Sequence, residues 1–284
     1  MEWLDRMNDV LTYLEANLDG EIDLEQAAQL AACSQFHFQR MFTYIAGVPL
    51  SEYLRRRRMT LAALELAGGN VKVIDLALRY GYDSPTAFNR AFQNVHGIPP
   101  SRAREGGVRL TAYPRISFTL TVKGETSMNY RIETLKAFRI VGLKVTMPMD
   151  VEQSFAQVPR FWQQSVPRIP ELMPLMNCTP KGLLGVSACM KGETFDYFIA
   201  VASDADVPQG MAESTVPACT WAIFDCTGPM PDALQTLQKR IVTEWLPTSG
   251  YEYANAPDIE VYFVGDQFSP DYRCEAWLPI RKTT

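Results

Sequence analysis

Ser34-Gln-Phe-His-Phe-Gln-Arg-Met-Phe-Thr-Tyr-Ile-Ala-Gly-Val-Pro-Leu-Ser51 recurs fifty residues later as Ser84-Pro-Thr-Ala-Phe-Asn-Arg-Ala-Phe-Gln-Asn-Val-His-Gly-Ile-Pro-Pro-Ser101. Ser34/Ser84, Phe38/Phe88, Arg40/Arg90, Phe42/Phe92, Gly47/Gly97, Pro49/Pro99 and Ser51/Ser101 are identical at that shift. A unit found twice and followed by long non-repeating sequence is a pair of modules, not a solenoid. Each copy predicts a short helix, a turn and a second helix. Leu24 to Leu30, Ala31-Ala32-Cys33 and an N-cap at Ser34 make the first. Val73 to Leu78, Tyr80-Gly81-Tyr82 and an N-cap at Ser84, with Pro85 at the first helical position, make the second.

The second helices share an apolar stripe, Phe38, Met41, Phe42 and Ile45 in one and Phe88, Ala91, Phe92 and Val95 in the other. Their opposite faces carry Gln35, Phe36, Gln39 and Arg40, and Thr86, Asn89, Arg90 and Gln93. Arginine suits guanine, Gln or Asn suits adenine, and an aromatic ring or a Thr methyl suits thymine. A lone Gln or Arg would mean only a solvated helix face, but this face recurs on two capped helices that each follow a helix-turn-helix turn. Double-stranded DNA is therefore the expected partner. Arg40 and Gln39 are expected on base edges, and Arg90 and Asn89 on bases or phosphates. The Arg55-Arg56-Arg57-Arg58 run, Arg55 foremost, adds a phosphate-directed cluster. Four consecutive arginines circle a helix, so some must face protein, and a salt bridge to Glu52 is the plain alternative for any one of them.

These residues resemble the AraC/XylS transcription regulators over about residues 1 to 107. Phe38-Gln-Arg-Met-Phe42, Tyr53-Leu-Arg-Arg-Arg-Arg-Met59, the run from Ala77 to Phe92 and Gly97-Ile-Pro-Pro-Ser-Arg-Ala-Arg104 carry the resemblance. It implies a bundle of about seven helices whose two recognition helices enter successive major grooves, and contact with RNA polymerase. A connecting helix from Leu50 to Ala67, ended by Gly68-Gly69, would span about 27 Å at about 1.5 Å per residue. One DNA turn is about 34 Å.

The chain has 284 residues, long enough for two cored domains. No apolar run reaches membrane-spanning length and the start reads as an amphipathic helix (Met7, Val10, Leu11, Leu14, Leu18), so the expectation is a cytosolic protein without a membrane partner. Six cysteines and two histidines show no metal-ligand spacing. Neither a metal nor a cofactor is expected. Residues 1 to 127 hold 14 basic and 14 acidic side chains, so the net charge of −5 arises entirely after Ser127. DNA binding depends on the field where phosphates lie, not on the total.

After Glu105-Gly106-Gly107 the pattern turns strand-like, and residues 108–127 read as a linker with a first strand at Ile116 to Val122 and a turn at Lys123-Gly124-Glu125. From 128 to 284, strands at 129–134, 138–146, 182–189, 196–202, 219–226, 259–265 and 273–280 surround helices at Phe155 to Val166 and Asp232 to Leu246. The order strand, helix, strand, strand occurs twice. The expected architecture is thus an all-α tandem helix-turn-helix unit followed by an α+β domain of two pseudo-symmetric halves.

Asn129 to Lys144, Pro180 to Met190, Phe195 to Ser203, Pro217 to Gln235, Glu244 to Tyr253, Asp258 to Phe263 and Cys274 to Ile280 resemble the GyrI-like effector-binding domain. The order, reader first, is that of Rob-type regulators. Within this half Glu275 is an acid in an apolar strand, on the same face as Trp277. A buried acid wants a cation, supplied either by an Arg or Lys of the domain or by a ligand. Trp162, Tyr197, Trp221, Trp245, Tyr253 and Tyr262 are the rings expected to line an effector pocket with Glu275, some of them being ordinary core. Related domains use the acid matching Glu275 for lipophilic cations, so the resemblance implies a transcription activator that responds to a cationic or aromatic small-molecule effector and is not an enzyme. The competing reading is a hydrolase of strained electrophiles, with Glu275 as general base and Tyr197 orienting water.

Overall fold

In the computed structural model, residues 3–69, 71–119, 127–148, 151–191 and 194–283 are described. The chain divides into two compact units, 1–120 and 121–284. The first contains α1 (Trp3–Ala16), α2 (Leu24–Leu30), α3 (Gln35–Ala46), α4 (Leu50–Gly68), α5 (Val73–Arg79) and α6 (Pro85–His96). The expected caps form: Ser34 Oγ accepts from His37 N–H, and Ser84 Oγ from Ala87 N–H. Gly47 (φ 70°) and Gly97 (φ 72°) close α3 and α6 in the left-handed conformation. Phe38, Phe42, Phe88 and Phe92 are wholly buried.

The two turns match at a different shift from the helices after them. Ala32 N–H bonds Gln29 O and Cys33 N–H bonds Ala28 O, while Gly81 N–H bonds Leu78 O and Tyr82 N–H bonds Ala77 O. The turns therefore correspond at 49 residues and the recognition helices at 50, with Asp83 as the extra residue. Ala32 holds φ 55° where the second copy has Gly81 at φ 76°, a conformation that costs an L-residue about 1–2 kcal/mol.

Residues 108–119 form no strand. The expected strand at Ile116 to Val122 is absent as far as 119; its remainder and the turn at 123–125 lie outside the described residues. The alternation is real, but side chains of the helices take the backbone groups that a ladder would use. Tyr113 N–H bonds Thr60 Oγ1 (3.0 Å), and Asn8 bonds both N–H and C=O of Phe118. The Phe118 ring meets Phe42 edge-on at 6.0 Å. This stretch is part of the helical unit.

The second unit contains β1 (Tyr130–Leu135), β2 (Phe138–Pro148), α7 (Val151–Ser165), α8 (Ile169–Leu172), β3 (Leu183–Lys191), β4 (Thr194–Ala202), β5 (Ala212–Val216), β6 (Cys219–Thr227), α9 (Asp232–Arg240, continued by a π turn at Ile241–Trp245), β7 (Tyr251–Tyr253), β8 (Ile259–Tyr262) and β9 (Arg273–Lys282). The sheet order is β1-β6-β9-β8-β3-β4-β2-β5, with β7 on β9. It reads symmetrically from both ends: β2-α7-β3-β4 and β6-α9-β8-β9 are the two expected halves. They join at the β3–β8 pair, and they exchange their leading strands, β1 pairing with β6 and β5 with β2. One sheet face carries Ile140, Leu184, Val186, Phe198, Trp221, Ile223, Val261 and Trp277. By alternation the other carries Gly185, Tyr197, Glu260 and Tyr262, and side chains of α7 and α9 reach it.

His96 offers a pH handle. Its Nδ1 accepts from Thr111 N–H (3.2 Å), so its proton sits on Nε2, which donates to Met59 O (3.0 Å). Burial lowers its pKa below the usual value, the bond to Met59 opposing this. The unfolded chain then holds the proton more tightly, so stability is complete above about pH 6.5 and falls as pH drops toward the folded-state value. Wild type should lose its melting-temperature advantage over His96→Gln between about pH 7.5 and about pH 5.5; a constant difference would refute the link.

Candidate functional site

On α6, Thr86, Asn89, Arg90 and Gln93 are exposed along one face. On α3, Gln35, Gln39 and Arg40 are half-buried, with Arg40 Nε donating to Tyr44 Oη (3.4 Å). Phe36 departs from expectation: its ring is 4 % exposed and edge-on to His37 at 6.0 Å. Removing phenyl area from water favours this position, and the outward polar face of α3 rests on Gln35, Gln39 and Arg40.

The arginine run divides sharply. Arg57 is clamped by both oxygens of Glu15 (2.8 Å each), which also accepts from Tyr53 Oη (2.6 Å). Arg58 donates to Leu18 O and Gly20 O. These two are structural, because buried guanidinium groups must find acceptors. Arg55 and Arg56 both pair with Glu52, and Arg56 also lies over the Tyr113 ring at 4.8 Å. Arg55 is more exposed than Arg56 and Arg57, yet its charge is shared with Glu52. Burial alone would raise the Glu15 carboxyl, but the Arg57 and Tyr53 hydrogen bonds hold it below the ordinary range.

In the second unit the expected pocket separates into three places. Glu275 pairs with Arg131 (2.9 Å) and accepts from Trp277 Nε1 (2.7 Å), so the domain itself supplies its counter-charge. Trp221 lies 5.9 Å from Trp277 in the sheet core, wholly buried. Trp245 packs edge-on to Phe224 and parallel to Tyr251, and Tyr253 is a buried residue of the short strand β7, opposite Ile280. Indole and phenol rings buried in this way act as packing area.

Trp162, Tyr197 and Tyr262 do converge, around a different acid. Tyr262 Oη donates to Glu260 Oε2 (2.8 Å), Gln238 Nε2 to Glu260 Oε1 (2.7 Å), and Tyr197 Oη lies 3.5 Å from Oε2. Trp162 Nε1 donates to Tyr197 Oη (3.0 Å), and its ring meets Tyr262 edge-on at 4.9 Å. Gly185, opposite Glu260 in the β3–β8 pair, completes the floor. A Cβ there would stand 2.6 Å from Tyr197 Oη and 3.0 Å from Glu260 Oε2. Burial first, and the nearby Glu260 carboxylate second, push the Tyr262 phenol well above its usual pKa. Among the described residues Glu260 meets only neutral donors. Tyr197 and Glu275 point to opposite sheet faces, so the pair on which hydrolysis depended does not form.

No helix among the described residues is long and apolar enough to cross a membrane, and no three His, Cys, Asp or Glu side chains among them meet as metal ligands. Residues 27–106 match the family described as a helix-turn-helix domain, and residues 128–281, more than half the chain, match the GyrI-like small molecule binding domain. The HTH-type transcriptional activator AarP of Providencia stuartii is 42 % identical over 98 residues, covering 34 % of this chain and 73 % of AarP. The transcriptional regulator Rob of Salmonella typhimurium is 25 % identical over 97 % of this chain and 98 % of its own. The chain belongs to the AraC family of DNA-binding regulators that carry a GyrI-like domain. The structure of SAV2435 bound to tetraphenylphosphonium aligns with this regulator over 54 % of its length and 94 % of SAV2435, at 25 % identity and a TM-score of 0.50.

The clamp predicts a contrast within one helix. Arg57→Ala should destabilise the regulator by about 3 kcal/mol in urea denaturation, because Glu15 is left buried without its partner. Arg55→Ala should change stability by less than about 0.5 kcal/mol. Equal effects would contradict the division of the arginine run.

Proposed function

We propose that this regulator is an activator whose GyrI-like domain responds to a lipophilic cation held by Glu260. The observation that carries the reading is a half-buried carboxylate ringed by Gln238, Tyr262 and Tyr197 and by no cationic side chain among the described residues. Neutral donors orient such a group but leave its charge uncompensated, which a bound cation would offset. Trp162 and Tyr262 would add cation–π attraction of about 0.5–2 kcal/mol each. The tetraphenylphosphonium bound by SAV2435 is a cation of this class. On DNA, Gln39 and Arg40 of α3 and Asn89 and Arg90 of α6 would face the bases from two successive grooves. AarP, similar over the DNA-reading half, is an activator by name, which supports the activator's role.

Calorimetry with tetraphenylphosphonium tests the assignment. Glu260→Gln should weaken binding at least about tenfold, roughly 1.4 kcal/mol, with the circular dichroism unchanged. Glu275→Gln, whose carboxylate already answers Arg131, should bind nearly as wild type. A larger loss in Glu275→Gln than in Glu260→Gln would return the site to the opposite sheet face.

A further inference from the structure

Cys226 and Cys274 are direct cross-strand partners in the β6–β9 pair. Asp225 N–H turns away from β9 to Asn129 O (3.1 Å), whereas Gly228 N–H bonds Tyr272 O (2.9 Å). Ladder bonds alternate residue by residue, so Cys226 and Cys274 form a hydrogen-bonded pair with Cα atoms about 5.5 Å apart. Disulfides usually span about 4.4–6.8 Å between Cα atoms, and residues directly opposite share a sheet face. Cys274 Sγ donates to Met230 Sδ at 3.8 Å. The neighbouring Cys274 side chain holds the Cys226 thiol below its ordinary pKa, while the Cys226 side chain, with burial, pushes Cys274 up. Both cysteines are buried and Met230 is half-exposed at their edge, which limits any oxidant to a small one.

We propose that Cys226 and Cys274 are a peroxide-oxidisable dithiol that closes to a cross-strand disulfide. The Cys226 thiolate attacks one peroxide oxygen, the O–O bond breaks, and hydroxide leaves to be protonated as water, giving Cys226 sulfenic acid. Cys274 sulfur then attacks Cys226 sulfur, the S–O bond breaks, and a second water departs as the S–S bond forms. Two thiols lose two electrons, and hydrogen peroxide is reduced to two waters. Cys274 is also the direct neighbour of Tyr262 on β8, so the new bond would form one strand away from the ring that donates to Glu260.

The test is graded hydrogen peroxide on the full chain, followed by acid quench, alkylation in denaturant and peptide mass spectrometry. Expected is the joint loss of both thiols, a peptide linking Cys226 to Cys274, and its disappearance with dithiothreitol. The bond should appear before Cys33, Cys178 or Cys219 is consumed, although these are the more exposed sulfurs. Cys226→Ser should abolish the linked peptide and leave Cys274 alkylatable. Oxidation of Cys33, Cys178 or Cys219 with Cys226 and Cys274 still alkylatable in the wild-type protein, or linkage of either to another cysteine, would overturn the proposal. The wild-type map decides the matter even if a variant fails to fold.

Discussion

The antiparallel pairing of β3 with β8, with Gly185 opposite Glu260, is the contact on which the effector half depends. It joins the two pseudo-symmetric halves into one sheet and sets the acid where α7 contributes Trp162 and α9 contributes Gln238. A register slip of one residue would turn Glu260 to the opposite face and bring Val261 under the helices. The glycine is equally constrained, because any side chain at 185 would occupy the space where phenol, indole and carboxylate approach one another.

The DNA-reading half is organised around a different constraint. Two capped helices are held by one connecting helix, α4, whose arginines mostly serve the fold. Arg57 ties α4 to α1 through Glu15, and Arg58 ties it to the turn after α1. The segment 108–119 continues this fastening by lending its backbone groups to Thr60, His96 and Asn8. Few arginines of the run remain for phosphates, which leaves more of the proposed recognition to the polar faces of α3 and α6.

Much of this was legible in the sequence because the deciding signals are local. Ser34, Ser84, Gly47 and Gly97 mark helix ends by their own chemistry, and a repeat at fixed offset reports two modules without any long-range information. The segment at Ile116 misled because alternation shows which side chains face inward, not whether a partner strand exists. The acid misled for a related reason. Glu260-Val-Tyr262 and Glu275-Ala-Trp277 have the same local pattern, an acid and an aromatic ring on one face of a strand. Only the placement of α7 and α9, and of Arg131 on the exchanged strand β1, separates a carboxylate with neutral neighbours from one already paired. Ring type reveals nothing of sheet face or depth, so the sequence alone does not separate Trp221, Trp245 and Tyr253 from the rings that gather at Glu260.

The central claim is that Glu260 and Trp162 belong to one binding site. A double-mutant cycle on tetraphenylphosphonium affinity, using Glu260→Gln, Trp162→Ala and the double variant, measures that directly. Residues sharing one ligand site are expected to be non-additive, with a coupling of about 0.5 kcal/mol or more. Losses that add, or a Trp162→Ala variant that binds as wild type, would contradict a shared site.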